Sequence, residues 1–189
     1  MSIIESLEKR RSIYKINDSL PVSETQVIEA VQKAVAIIPE SMNTKCQQAI
    51  VAFGGRHREL WNGLNAATGG KGGEKIEDAL KGAGSVVFGV NQDGVKGLQD
   101  KFAAFAQVFP VFATESSGML QLAVWTALRD LGIGASLQHQ ILMAPKLAHE
   151  LFGVPESFKA MSVMPFGGIV QEREPREAPD VSKLVIVAR

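Results

Sequence analysis

Residues 115–140 read ESSGMLQLAVWTALRDLGIGASLQHQ, one long apolar helical stretch that runs straight into a glycine-rich exit. With Ser116 or Ser117 as N-cap, Leu120, Ala123, Val124, Ala127, Leu128 and Leu131 recur at helical spacing and make a broad apolar face. Gln121, Thr126, Arg129 and Asp130 are interspersed, so this helix is amphipathic and not membrane-spanning. Gly132 stands where a left-handed residue would stop the helix, and Gly134 allows a second bend. Leu137, Gln138 and His139 therefore arrive at the end of a rigid element. That arrangement suits a core helix with a tight turn, and equally a backbone edge laid against a flat ligand.

The other elements are arranged around this helix. Ser2 with Glu5, and Ser23 with Gln26, have capping-box spacing, and each precedes a helix with an apolar face. The first helix ends in Arg10, Arg11 and Ser12, and the second is closed by Pro39. A polar, turn-like segment, PESMNTKCQ, leads into a strand over residues 49–53, and a short helix is expected over residues 60–67. The glycine cluster at residues 69–73 reads as a mobile connection: its spacing matches neither phosphate-cradling pattern, and no strand precedes it. Gly82 and Gly84 precede a strand over residues 85–90, whereas a dinucleotide fingerprint follows one. Leu98, Phe102, Phe105 and Phe109 predict a helix ended at Pro110, its aromatic stripe serving as core, dimer surface or pocket wall. A short helix over residues 145–152 and strands over residues 158–164 and 184–187 complete the chain. The tail LVIVAR is apolar throughout and is expected to pair in a sheet, within the chain or on a partner chain. Helices outnumber widely spaced strands, which is the pattern of an α+β domain with a central sheet wrapped in helices. At 189 residues, one domain over residues 1–189 is expected.

Composition narrows the function. Twenty basic and twenty acidic residues cancel, which argues against nucleic acid or an anionic membrane as the main partner. A lone cysteine, Cys46, excludes an intramolecular disulfide and a multi-cysteine metal cage. The opening MSIIESLEKRR has no following apolar region of signal-peptide type, so a cytoplasmic location is expected. His57, His139 and His149 lack metal-ligand spacing, and Ser116-Ser117-Gly118 lacks the nucleophile-elbow pattern. Cys46 reads as a packing residue rather than the nucleophile of a pair with His139. With no acid–base set in evidence, the chain suits a protein whose bound cofactor carries the chemistry. An anionic, flat cofactor needs cations and hydroxyls for a phosphate, polar groups for ring edges, and a wall for the ring face. Arg10, Arg11 and Ser12, with Arg176 at a distance, supply the first. Asn43 and Lys45 supply the second, and residues 137–139 the third.

At these positions the sequence resembles the nitroreductase family, in its short branch related to fatty-acid-repression mutants. The resemblance rests on KRRSIY, PESMNTK, SSGMLQLAVWTALRDLGIGASLQH, PESFKAMSVMPFG and the apolar C-terminal segment, in that order. It implies an α+β fold with a mixed or antiparallel central sheet, built as an intertwined homodimer that exchanges its C-terminal strand. It also implies FMN bound at the subunit interface and ping-pong hydride transfer from NADH or NADPH to a nitroaromatic, quinone or similar small acceptor. By matching position, Arg10, Arg11 and Ser12 become ligands of the phosphate and ribityl chain, and Asn43 and Lys45 contacts of the ring's polar edge. Residues Leu137, Gln138 and His139 become the turn against the ring, and Arg176 a basic residue near the phosphate. Relatives often carry glutamine where Lys45 stands, and Tyr-Asn-Pro where this chain has Gln140, Ile141 and Leu142. A flavin-binding sensor with little turnover is the alternative that the branch's name suggests.

Overall fold

The computed structural model describes residues 2–174 and 177–189. Both capping boxes form. Ser2 and Glu5 exchange bonds at the start of α1 (Ile3–Lys9), and Ser23 and Gln26 do so at α2 (Glu24–Ile37), each satisfying two otherwise orphaned helix donors. Between them lies the short strand β1 (Ile16–Asn17). Strand β2 (Gln47–Phe53) leads into α3 (Gly54–Ala67), and the glycine cluster turns into α4 (Gly73–Leu80). Then follow β3 (Gly84–Asn91), α5 (Gln92–Lys101), the long helix α6 (Phe109–Asp130), β4 (Gly134–Ala135), α7 (Leu147–Phe152) and β5 (Phe158–Ile169).

The strands form an antiparallel sheet in the order β1-β5-β3-β2, with β4 also paired to β5. Strand β3 is buried along nearly its whole length, as a central strand covered on both faces must be. On one face Val27, Val31 and Ala34 of α2 and Leu120, Val124 and Leu128 of α6 pack over Val86 and Phe88. Leu60, Trp61 and Leu64 of α3 and Ala148 of α7 form a second cluster with Val87 and Val163. Leu120, Val124 and Leu128 recur every four residues and are essentially inaccessible, and each contributes about 1.5–3 kcal/mol of burial.

Three expectations are corrected. Helix α6 begins at Phe109, so Ser116 and Ser117 lie buried inside it and are not its N-cap. Pro110 starts this helix rather than ending the one before, because proline's missing N–H costs nothing in a first turn. The preceding helix already stops at Lys101, residues 103–108 form a 3₁₀ segment, and Phe105 points to solvent while Phe102 and Phe109 pack at 6.1 Å. Lastly, residues 184–187 form no strand in this chain: they follow a short 3₁₀ turn, Val181–Lys183, with their apolar side chains exposed. Among the described residues no helix is long and apolar enough to cross a membrane.

Candidate functional site

Helix α1 docks on the C-terminal end of α6. Ser6 donates to Asp130 at 2.9 Å, and Arg129 donates from Nε to the Lys9 carbonyl at 3.1 Å. Arg10 follows at the helix C-cap, its guanidinium stacked 4.3 Å from the centre of the Trp125 ring. Trp125 in turn donates from Nε1 to the Ala135 carbonyl at 3.1 Å, so α6 holds the arm and β4 together. Ser12 bridges to Ala135, and the Ile13 amide donates to the same carbonyl at 2.9 Å while the Ile13 side chain is wholly buried. Arg10, Arg11 and Ser12 are thereby fixed beside the exit of α6.

That exit works as its glycine suggests. Gly132 has φ of +79°, which a non-glycine residue would adopt only under strain, and the chain reverses into β4. Beyond it, Gln138 exchanges two backbone hydrogen bonds with Val163, at 2.8 and 2.9 Å, tying the 137–139 turn to β5. The Gln138 side chain is buried, donates to Ser136 at 3.2 Å and accepts from Gln140 at 2.9 Å. His139 is exposed and Leu137 half-buried.

The arm and the turn border adjoining hollows. One, of about 700 Å³, is lined by Arg10, Arg11, Ser12, Tyr14 and Arg173 among others. Another, of about 300 Å³, is lined by Tyr14, Lys75, residues 137–140 and Met143. Both fall in the range of ~300–1,000 Å³ usual for ligand clefts. Tyr14 belongs to both and sits between two cations, with Lys75 at 5.7 Å and Arg173 at 5.8 Å from its ring centre. Arg11 donates to the Glu174 carbonyl at 2.6 Å, and Arg129 pairs with Glu172 at 2.9 Å, so the 170–174 segment lies across the arm. Next to Tyr14, Lys15 is ion-paired with Glu74 and, at 2.9 Å, with the buried Asp78. Those carboxylates, Glu74 first, raise the lysine's pKa above its usual value.

Asn43 and Lys45 stand elsewhere. Their segment packs near the first half of α6, where the Gln47 side chain donates to the Ala113 carbonyl at 3.0 Å. Trp125, which holds Arg10, lies about 18 Å farther along that helix at ~1.5 Å per residue. Within one chain, then, Arg10, Arg11, Ser12 and residues 137–139 converge, while Asn43 and Lys45 remain apart and exposed. Arg176 lies outside the described residues. Three residues escaped the sequence reading. Tyr14 carried a signal, since it stands two positions after Ser12 in an extended segment. Lys75 and Arg173 carried none, lying between the segments to which the sequence gives an element. Cys46 is buried with Val90, Val95 and Phe109, its thiol donates to the Thr44 carbonyl at 3.7 Å, and that burial is the chief cause of its raised pKa.

The sequence profile of the Nitroreductase family matches residues 7–168. The chain belongs to the nitroreductase family. It is 30% identical over 142 residues to nitroreductase FRM2 of Saccharomyces cerevisiae, covering 72% of each protein. Nitroreductase CinD from Lactococcus lactis, solved in complex with nicotinic acid, superposes over all of both chains with a TM-score of 0.92 and 32% identity. The same protein has been solved with 4-nitrophenol, at a TM-score of 0.91 and again 32% identity. A Desulfovibrio desulfuricans protein solved in complex with FMN shares the fold at a TM-score of 0.76 and 15% identity, over 100% of this chain and 98% of that one. The α+β nitroreductase fold and an oxidoreductase assignment follow from this family membership.

Proposed function

We propose that this chain is a single FMN-binding domain that works as a homodimer. In this reading it uses NADH or NADPH to reduce nitroaromatic, quinone or similar small acceptors. The observation that carries the reading is the convergence, around Tyr14, of the Arg10–Arg11–Ser12 arm and the 137–139 turn. The residues present fit an anionic, planar cofactor. Two guanidinium groups and a hydroxyl form a donor set for phosphate, and the backbone-pinned turn is a wall for a ring. Beside that turn, Oε1 of Gln140 is buried without a hydrogen-bond partner among the described residues, which suits a polar ligand edge.

When bound, the flavin would accept a hydride from the nicotinamide and pass reducing equivalents to the acceptor. Arg10, Arg11 and Ser12 would hold its phosphate and ribityl chain, with Arg173 nearby and Arg176 assigned to the same end. Leu137, Gln138 and His139 would line the ring. Asn43 and Lys45, remote from the arm in one chain, would come from a second copy, which makes the site a shared one. The Lys45 ammonium would favour the reduced form of the ring by Coulomb attraction. The CinD complexes with nicotinic acid and 4-nitrophenol support a pyridine-like donor and a nitroaromatic acceptor.

The test is the visible spectrum of the purified protein with added FMN, before and after anaerobic NADH or NADPH. Retained flavin bands that bleach with the donor and recover with a quinone or nitroaromatic are expected. The Arg10→Ala/Ser12→Ala double variant should bind FMN at least about tenfold more weakly, since each charge-assisted bond is worth roughly 1.5–3 kcal/mol. Flavin that washes away from the wild type would end the proposal, and bound flavin that resists reduction would favour a sensor.

A further inference from the structure

The 40–47 segment holds its backbone in an unusual way. Met42, Asn43 and Lys45 have φ of +60°, +52° and +52°, and none of them is glycine. Left-handed conformations at residues with a side chain are strained, and they persist only where surrounding structure imposes them. Here the imposing group is the half-buried carboxylate of Glu40. Its Oε2 accepts from the Cys46 amide at 2.8 Å, from the Thr44 hydroxyl at 3.2 Å and from the Gln47 amide at 3.3 Å. The Glu40 carbonyl also accepts from the Asn43 amide at 3.0 Å. One carboxylate thus closes both ends of the segment, while Gln47 anchors the exit to α6.

The consequence is directional. With the ends drawn together, Asn43 and Lys45 are turned outward and exposed, and Cys46 and Gln47 are turned in and buried. The carboxylate itself is occupied by three donors, so it acts on the ligand through its neighbours and not by contact.

We propose that Glu40 is a positioning residue for the flavin site: it fixes Asn43 and Lys45 in the orientation that meets the ring edge, and so sets FMN affinity and reduction potential. This rests on the FMN reading given above. Charge-assisted hydrogen bonds are the strong ones, and losing all three frees the segment to leave its left-handed geometry.

The experiment compares Glu40→Ala, Glu40→Gln and Lys45→Ala, and the Glu40→Ala/Lys45→Ala double variant, by FMN titration and by the midpoint potential of bound flavin. Glu40→Ala should bind FMN about tenfold or more weakly and shift the potential downward, because the ammonium no longer steadies the reduced ring. Glu40→Gln keeps one acceptor oxygen and should recover part of both losses. In the Lys45→Ala background, Glu40→Ala should shift the potential much less than it does in wild type, since only Asn43 is then left for it to act through. Amide hydrogen exchange supplies a readout that needs no flavin: protection at Cys46 and Gln47 should fall in Glu40→Ala. Wild-type protein that holds FMN, with a Glu40→Ala variant of unchanged affinity, potential or amide protection, overturns the positioning role alone. Wild-type protein that holds no FMN overturns it together with the flavin reading.

Discussion

At the scale of single residues, a buried histidine of α3 is held neutral by its surroundings, apart from the residues that line the cleft. His57 is wholly buried, with Nε2 2.9 Å from the Ala79 carbonyl and Nδ1 2.9 Å from the Ser85 hydroxyl. Trp61 donates to that same hydroxyl at 2.8 Å. The neutral ring satisfies this network by donating from Nε2 to Ala79 and accepting at Nδ1 from Ser85. A second ring proton would leave the serine's own hydrogen without its acceptor. Burial, the leading cause, lowers the pKa to about 4, while the Ala79 bond pulls it upward. The folded pKa lies below the ordinary 6.5, so the network's stability is fully present above pH 6.5 and is lost as pH falls toward 4. The span corresponds to roughly 3 kcal/mol. Wild-type stability to urea should therefore fall between pH 7 and 4.5. His57→Gln, which cannot charge, should be less stable at pH 7.5 yet decline more shallowly, and parallel declines would remove His57 as the cause.

At the scale of elements, two glycines hold the site's frame for different reasons. Gly132 ends α6 at φ +79°, and an added Cβ would meet nothing closer than Pro21 at 3.6 Å, so Gly132→Ala costs backbone strain alone, about 1–2 kcal/mol. Gly167 on β5 has an ordinary φ, but a Cβ there would fall 2.0 Å from the Asn17 carbonyl oxygen of the adjoining β1. Backbone cannot step aside as a flexible side chain does, so Gly167→Ala should cost more, on the order of 3 kcal/mol, and loosen β1 from the sheet. Chemical denaturation ranks the two, and equal losses would contradict the steric account. The contrast also explains what could be read beforehand. A helix stop is local, as are both capping boxes, so Gly132, Ser2 and Ser23 were legible. Gly167 and Gly168 carry no such local signal, because the close approach of Asn17 and Ser19 is a tertiary fact. Pro110 was misread similarly: proline ends one helix or begins the next, and Phe102 to Val108 gave no local reason to prefer the second.

At the scale of the whole molecule, the sequence offers candidate cofactor ligands as residues but does not say where in the fold they stand. Arg10, Arg11, Ser12 and residues 137–139 meet because α1 and β4 both dock at one end of α6, whereas Asn43 and Lys45 sit by its other half. Motif order carries no information about which copy of a chain a residue serves. The tail poses the same question, since Leu184, Val185, Ile186 and Val187 expose 68, 62, 93 and 70% of their surfaces. Exposed along α6 are Val111, Met119 and Leu122, three or more residues apart on a helix whose other face is core. If a second copy covers these surfaces, each tail buries up to four aliphatic side chains at about 1.5–3 kcal/mol apiece before ordering costs. Deleting residues 184–189 should then raise the dimer dissociation constant by at least about a hundredfold, which is about 2.8 kcal/mol at ~1.4 kcal/mol per decade. Light scattering across a dilution series reads this directly. FMN retention should fall at the same protein concentrations, because Asn43 and Lys45 depart with the partner. A truncated chain that stays dimeric and holds FMN would show that the tail is not exchanged, and an FMN-loaded monomer would refute the shared site.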